Sequence, residues 1–336
     1  MKAIVFTHYG LPDGLEFIEV PKPSPKDDEL LIRVHASSVN SWDWEFLTGK
    51  PFINRLMFGL LKPKPGTQIL GADIAGAVEA TGKHVTRFRP GDEVFGDLWD
   101  SWGGFAEYAC AQETGLEAKP ANSTFEEAAT VPQAGVLALQ GLRRGGQLQP
   151  GQKVLINGAG GGVGTFAILL ARLYGAEVTG VDASHKLDVV RMLGADHVID
   201  YSRVDFTDTG ERYDLILDCQ GSRSMFDYRR ALRPNGTYSM VGASMLRVPQ
   251  LLFLSLLAPL TRESRKLRMV MEGPNKGLAD LKVLVEAGKL TPVIDKVYPL
   301  SEVREALRYF GEGRHKGKIA ITMEGQKKEN KGVGDK

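Results

Sequence analysis

The stretch Val154-Leu155-Ile156-Asn157-Gly158-Ala159-Gly160-Gly161-Gly162-Val163-Gly164 passes from a short apolar run into a series of glycines. A helical pattern follows it from Gly162 to Tyr174. Glycines between a strand and a helix let the backbone turn tightly, and they let its N–H groups approach a ligand. The helix N-terminus then directs the positive end of its dipole at the same point. The stretch therefore predicts a strand, a phosphate-binding loop and a helix.

A glycine motif alone is weak evidence, because glycine-rich turns also occur where no ligand binds. Here the strand, the loop and the helix stand in the order of a βαβ unit, which favours a dinucleotide site over a purely structural turn. We predict that the loop binds a dinucleotide through Asn157, Gly158, Ala159, Gly160, Gly161, Gly162, Val163 and Gly164.

The next predicted strand, Glu177 to Asp182, ends on an acid. An acid at this position bonds the ribose hydroxyls of NAD and repels a 2′-phosphate, so taken alone it favours NAD. Lys186 lies four residues further on and offers a point charge to such a phosphate; its alternative is a solvated helix lysine. Ser184, between the two, completes the predicted ribose end of the site.

Two textures divide the rest of the chain. From Met1 to about Pro120, short apolar runs are separated by Gly and Pro, which is typical of a β-rich, barrel-like domain. From about Ser123, strands alternate with helices, which indicates a parallel α/β sheet. Strands predicted at Asp295 to Pro299 and Lys318 to Thr322, with a helix capped by Ser301 between them, return to the first texture.

Composition limits the partners. Across 336 residues, 42 Lys and Arg stand against 41 Asp and Glu, and this balance argues against nucleic acid. Cys110 and Cys219 are too few for a disulfide framework, which favours a reducing, cytoplasmic compartment. The apolar run Leu251 to Leu260 has about half the length of a bilayer-crossing helix, so we predict a buried or interface helix and no membrane span.

Several short motifs stand in a fixed order along almost the whole chain, about Met1 to Met323. They are Ser38-Val39-Asn40-Ser41-Trp42-Asp43, Leu70-Gly71-Ala72-Asp73-Ile74-Ala75-Gly76, Pro90-Gly91-Asp92-Glu93-Val94, Gly103-Gly104-Phe105-Ala106-Glu107-Tyr108, Ala128-Ala129-Thr130-Val131-Pro132, the glycine loop, Leu193-Gly194-Ala195-Asp196 with Ile199-Asp200-Tyr201, and Gly317-Lys318-Ile319. With these motifs the chain resembles the medium-chain dehydrogenase/reductase superfamily, in its zinc-independent quinone oxidoreductase branch.

The resemblance implies an α/β protein in which a Rossmann domain is inserted into a GroES-like catalytic domain, with the active site in the cleft between them. We predict a catalytic domain over residues 1–122, a Rossmann domain over 123–290, a return to the catalytic domain over 291–323 and a polar, disordered tail over 324–336. A homodimer is expected by resemblance alone.

The resemblance also bears on metal and coenzyme. A Cys and a His that hold zinc in the zinc-dependent relatives are replaced by Asn40 and Ala72, neither of which is a thiolate or imidazole ligand, so we expect no zinc. In the quinone oxidoreductase branch, a Lys and a Tyr at the places of Lys186 and Tyr201 hold the 2′-phosphate of NADPH. Asp182 departs from the small residue usual there. The expectation leans slightly to NADPH over NADH.

Without a Lewis acid, conjugated acceptors are easier to reduce than plain ketones, because their developing charge is delocalised. We therefore expect hydride transfer to a quinone or an α,β-unsaturated carbonyl. Asn40 is the candidate hydrogen-bond donor, with a cap of the following turn as its alternative. Asp43 either orients Asn40 or begins the next helix as its N-cap. Trp42 and Trp44 are candidate substrate walls, with ordinary core packing as their alternative.

The end of one more predicted strand belongs to the site. By strand-end geometry and family analogy, Val241 and Gly242 are expected to meet the nicotinamide carboxamide. Two other functions stay open at this point: a metal-free NAD(P)-dependent alcohol or aldehyde oxidoreductase, and a dinucleotide-binding sensor without catalysis.

Overall fold

The computed structural model describes residues 1–323 except 65, 144–147, 242–249, 251–264 and 271–272. The described strands are β1 Lys2–Phe6, β2 Leu15–Glu19, β3 Glu29–Val39, β4 Asp73–Thr81, β5 Glu93–Asp97, β6 Tyr108–Gln112, β7 Glu117–Ala118, β8 Lys153–Asn157, β9 Glu177–Asp182, β10 His197–Asp200, β11 Tyr213–Asp218, β12 Leu232–Met240, β13 Lys266–Met269, β14 Ile294–Pro299 and β15 Lys318–Thr322. The described helices are α1 Ser41–Thr48, α2 Ile53–Phe58, α3 Phe125–Ala129, α4 Pro132–Arg143, α5 Gly162–Leu173, α6 Leu187–Met192, α7 Met225–Ala231, α8 Leu278–Glu286 and α9 Val303–Gly311.

One sheet has six parallel strands in the order β10-β9-β8-β11-β12-β13. Its central strands are apolar and buried on both faces, as parallel strands covered by helices must be. The strand order reverses beside β8, and ligands bind at such a switch point, beyond the carboxyl ends of the strands. The predicted α/β fold with an inserted parallel sheet is confirmed.

The second large sheet joins the two ends of the chain. Its path is β14-β15-β3-β4-β5-β7, and β6 pairs with the other part of β3. β15 runs antiparallel to β3, with Ile319 opposite Val39. The late strands β14 and β15 therefore rejoin the strands of the amino-terminal part of the chain, as predicted. The domain boundaries stay predictions, and α3, placed after residue 122, packs on this sheet: its Phe125 ring stacks on His35 at 4.2 Å.

Some sequence expectations need correction or fall outside the described residues. The helix expected after Ser301 begins at Val303, behind a 3-10 turn, so its N-cap is Glu302. Gly242, the segment 251–260 and the tail 324–336 lie outside the described residues. None of the described helices is long and apolar enough to cross a bilayer.

The two large sheets meet at the glycine loop. The backbone N–H of Gly317, just before β15, donates a hydrogen bond of 2.8 Å to the carbonyl of Gly160. Gly317 and Gly161 also form an isolated parallel bridge. Consequently the start of β15 lies against the glycine loop at the carboxyl ends of the parallel strands. The cleft between the two sheets carries the candidate site.

Candidate active site

Backbone geometry shapes the glycine loop. Gly158 adopts a φ of 88°, which L side chains rarely adopt. The N–H groups of Gly158 and Ala159 both donate to the carbonyl of Val181, at 2.9 and 3.1 Å, which ties the loop to β9. A Cβ on Gly164 would lie 2.1 Å from the carbonyl oxygen of Gly158, so α5 approaches the loop as only glycine allows.

A cavity of about 630 Å³ lies between this loop and the sheet that contains β3 and β15. Several of the predicted site residues line it: Asn40, Asn157, Gly158, Gly161, Gly162, Val163, Asp182, Lys186 and Tyr201. The structure thus brings the predicted dinucleotide loop and Asn40 to one space. The volume is typical of a site for a cofactor and a small substrate.

At one end of the cavity, Asp182 holds the loop. Its carboxylate accepts hydrogen bonds from the backbone N–H groups of Gly160, at 2.7 Å, and Ala183, at 2.8 Å. Lys186 lies beside it and is buried, and burial lowers the pKa of its ammonium although Asp182 and Asp295 act in the opposite direction. Tyr201 is half exposed at the rim. A carboxylate and a cation therefore face the cavity together.

Other predicted cofactor residues are placed nearby without lining the cavity. Ser184 donates its hydroxyl to Asp200. Val241 donates its backbone N–H to the carbonyl of Asp218, at 2.9 Å, at the carboxyl end of the parallel sheet. The Asn157 amide, which does line the cavity, donates to a carboxylate oxygen of Asp218 at 2.8 Å. The last of these bonds fixes the side chain of Asn157 at the start of the loop.

At the other end, a buried polar cluster surrounds Asn40. Its side-chain nitrogen donates to the carboxylate of Asp73 at 2.9 Å, and its side-chain oxygen accepts from the ammonium of Lys318 at 2.5 Å. The same ammonium donates to the carbonyl of Val39 at 3.1 Å and lies 3.5 Å from Asp73. Lys318 is 2% exposed and Asp73 is fully buried. The amide orientation is therefore fixed from both sides, and Asn40 retains one N–H for the cavity.

Asp43 anchors the loop that carries Asn40. One carboxylate oxygen accepts from the backbone N–H of Asn40 and the other from that of Gly71, both at 2.8 Å. Of the two roles considered for it from the sequence, the N-cap was wrong, because Asn40 is the N-cap of α1 and Asp43 lies in the first turn. Asp43 instead holds Asn40 through the backbone. It is fully buried and does not line the cavity.

Burial controls the charges of the cluster. It raises the pKa of Asp43 to about 7 and that of Asp97 to about 8, where the Asp73 carboxylate acts in the same direction. It also raises the pKa of Asp73, against the effect of the Lys318 ammonium, and lowers the pKa of Lys318. One cation among three buried carboxyl groups favours protonated carboxyls near neutral pH.

A zinc ion does not fit this arrangement. Asn40 uses its amide oxygen for Lys318, and Asp73 accepts three further bonds: from Asn40, from the Ser38 hydroxyl at 3.0 Å and from the Gln133 backbone at 3.0 Å. A lysine ammonium already sits within the cluster. In the part of the chain that the structure describes, no group of three or more His, Cys, Asp or Glu is placed to hold a metal.

Trp42 and Trp44 lie next to the site without lining the cavity. The Trp42 ring packs edge-on against Trp99 at 4.7 Å and against Phe46 at 5.4 Å. The Trp44 ring packs on Gly311 in α9, where a Cβ would lie 2.2 Å from it. Both half-buried rings pack against the protein here, and their role as substrate walls stays a prediction.

Comparison with known proteins agrees with the fold. Residues 26–141 match the alcohol dehydrogenase GroES-like domain, and residues 193–321 match the family described as zinc-binding dehydrogenase. A chloroplastic quinone oxidoreductase of Triphysaria versicolor is 32% identical over 96% of this chain and 98% of its own. A chloroplastic NADPH-dependent alkenal/one oxidoreductase of Arabidopsis thaliana is 30% identical over 96% of this chain and 79% of its own.

A solved structure extends the comparison. The quinone oxidoreductase from Coxiella burnetii superposes with a TM-score of 0.83 at 28% identity, over 96% of this chain and 99% of that one. The chain belongs to the medium-chain dehydrogenase/reductase superfamily, in its quinone oxidoreductase branch.

Sequence reasoning missed the partners of Asn40. Lys318 and Asp73 were not considered as partners of Asn40, and Gln133, whose backbone N–H donates to Asp73, was not considered at all. A lysine that opens an apolar strand, as in Lys318-Ile319-Ala320-Ile321, is a usable signal, because lysine is almost never fully buried unless it is paired.

Proposed function

We propose that this protein is an NAD(P)H-dependent oxidoreductase that reduces the conjugated double bond of an α,β-unsaturated carbonyl, or a quinone, without zinc. One observation carries the proposal: the dinucleotide loop and the buried cluster around Asn40 line the same cavity. The relatives named as quinone and alkenal/one oxidoreductases support the substrate class.

A nicotinamide cofactor held by the loop from Asn157 to Gly164 would supply a hydride to the electrophilic carbon of the substrate. As that C–H bond forms, the π electrons move to the substrate oxygen, and a proton adds later from solvent or a nearby acid. The remaining N–H of Asn40 binds this oxygen as its negative charge develops. Lys318 acts through Asn40 as a positioning residue: it holds the amide oxygen, so the amide nitrogen faces the substrate, and its charge favours the oxyanion.

We propose NADPH as the preferred coenzyme. Asp182, Lys186 and Tyr201 all line the cavity, but the Asp182 carboxylate is occupied by two backbone N–H groups. Lys186 and Tyr201 match the residues that bind the 2′-phosphate in the branch that the chain resembles. Asp182, Ser184, Val241 and the undescribed Gly242 remain candidate contacts. The cytoplasmic location and the homodimer stay predictions, and two of the relatives cited above are named as chloroplastic.

The test measures cofactor oxidation by absorbance with a 1,4-quinone or an enone, for NADPH and NADH separately, in buffer with a metal chelator. We expect turnover that survives chelation and is faster with NADPH. Oxidation of plain secondary alcohols with no reduction of quinones or enones would overturn the proposal. Binding without turnover of any acceptor would favour the sensor.

A further inference from the structure

An apolar surface stands out on α2 and the turn that follows it. The exposed fractions are 61% for Phe52, 57% for Leu56, 52% for Leu60 and 88% for Leu61, and Ile53 is 39% exposed. Five of the fourteen large hydrophobic residues exposed in the described chain thus fall within ten positions. Their spacing places Phe52, Ile53 and Leu56 on one side of the helix. We refer to residues 50–64 as the 50–64 surface.

The inner side of this segment is firmly packed. The Phe58 ring lies 4.0 Å from the Phe46 ring, and the Tyr9 hydroxyl donates to the carbonyl of Gly59 at 2.7 Å. Asn54, which is buried, donates its amide to the carbonyl of Lys50 at 3.2 Å. The segment is therefore fixed to the protein by its inner side chains, and the exposed apolar residues form its outer face.

Its charge is one-sided. Between Lys50 and Thr67 the chain has no Asp or Glu and four cations, which are Lys50, Arg55, Lys62 and Lys64. Over the whole chain, by contrast, positive and negative charges are almost equal in number. Arg55 is held by the protein, because its guanidinium lies 4.8 Å from the Tyr9 ring centre and donates to the carbonyl of Gly49. Lys50 and Lys62 are exposed beside the apolar residues.

This combination fits an anionic lipid bilayer. Apolar side chains that project among cations enter the boundary between headgroups and acyl chains, while the cations meet the lipid phosphates. A second copy of the chain fits worse, because a two-fold contact would place the same cations against one another with no acid to pair them.

We propose that the 50–64 surface docks the protein peripherally on an anionic membrane. The proposal is independent of the reaction proposed above, because docking is measured without turnover. The packed rings of Phe58, Phe46 and Trp102 connect this surface with α1, directly after Asn40.

The experiment is cosedimentation of the full chain with vesicles of phosphatidylcholine alone, or of phosphatidylcholine mixed with phosphatidylglycerol. We expect binding to the mixed vesicles at low ionic strength and its loss in high salt. Leu60→Ser with Leu61→Ser should weaken binding about 10-fold or more, and Lys62→Gln about fivefold. Val283→Ser, on α8 with 62% exposure, is the matched control and should bind like the wild type.

Each contrary outcome overturns the proposal. Absence of binding to anionic vesicles does so directly, and equal binding to neutral vesicles removes the role of the cations. Unchanged binding in both 50–64 variants assigns the lipid contact elsewhere. In another contrary outcome, neither the wild type nor any variant binds vesicles, and light scattering shows that the wild type self-associates while the double leucine variant does not. The surface is then an interface between copies of the chain.

Discussion

The glycine loop and the cluster around Asn40 are opposite kinds of site in one cavity. The loop is contiguous, from Asn157 to Gly164, and its function depends on the backbone. The cluster combines side chains from four distant segments, and the bond between Asn40 and Lys318 spans 278 positions. A contiguous site that depends on backbone shape is sensitive to added atoms, whereas an assembled site is sensitive to lost charges and hydrogen bonds.

The largest effect is expected from Gly164→Ala in the loop. The new Cβ would lie 2.1 Å from the carbonyl oxygen of Gly158, and backbone atoms cannot move aside cheaply. We expect a loss of about 3 kcal/mol in the free energy of unfolding and loss of dinucleotide binding. Urea denaturation and fluorescence titration measure both.

The matched control is Gly161→Ala, whose Cβ would meet nothing closer than 3.4 Å. It should unfold at nearly the wild-type urea concentration. Equal destabilisation by both substitutions would show that the loop does not depend on close approach at one position.

In the cluster, Lys318→Met should lower kcat about 100-fold while the KM for the coenzyme changes little. The substitution removes the cation that orients the Asn40 amide, and loss of one such oxyanion-stabilising arrangement has this order of effect. Steady-state kinetics with an enone separates kcat from KM.

Lys316→Met is the control, since Lys316 lies two positions away and pairs with Asp188 at the surface. If Lys318→Met fails to fold, Asn40→Ala carries the same test, because it removes the proposed donor itself. A normal kcat in Asn40→Ala would exclude the cluster from the reaction.

Much of the fold was predictable because its signals are local. The strands Glu177–Asp182 and Lys318–Thr322 were predicted with the bounds that the structure has, since apolar runs between glycines and polar turns mark them. The order of the motifs predicted the rejoining of the two chain ends. The Ser301 cap was wrong because a 3-10 turn, one of several ways to start a helix, comes first.

The candidate site was predictable only in its local half. Asn40 and the glycine loop are parts of motifs, so their sequence neighbours point to them. The pairing of Asn40 with Asp73 and Lys318 depends on the register of β15 on β3, which no local pattern specifies. For the same reason the packing of Trp44 on Gly311 was not foreseen.

A smaller effect should separate the two coenzymes. Lys186→Ala is expected to raise the KM for NADPH about 10-fold and leave that for NADH almost unchanged, because only NADPH carries the 2′-phosphate. Lys282→Ala, a lysine on α8 paired with Glu286, is the control. An equal rise for both coenzymes would contradict a phosphate contact and place Lys186 in the loop's structure.

The last prediction concerns pH and the stability of the cluster. Burial raises the pKa of Asp97 from 3.8 to about 8, and within the described chain one of its carboxyl oxygens has no hydrogen-bond partner. The folded protein therefore holds this proton more tightly than the unfolded chain does. Its contribution to stability is complete below about pH 4 and is lost progressively as the pH rises to about 8.

Asp97→Asn removes this titration. Relative to the wild type, the variant should become steadily more stable as the pH rises through that window, measured as the difference in free energy of unfolding at each pH. Asp100→Asn, at an exposed position three residues away, should show no such trend. A pH-independent difference for Asp97→Asn would mean that the pKa of Asp97 is the same in the folded and the unfolded chain, which contradicts the burial argument.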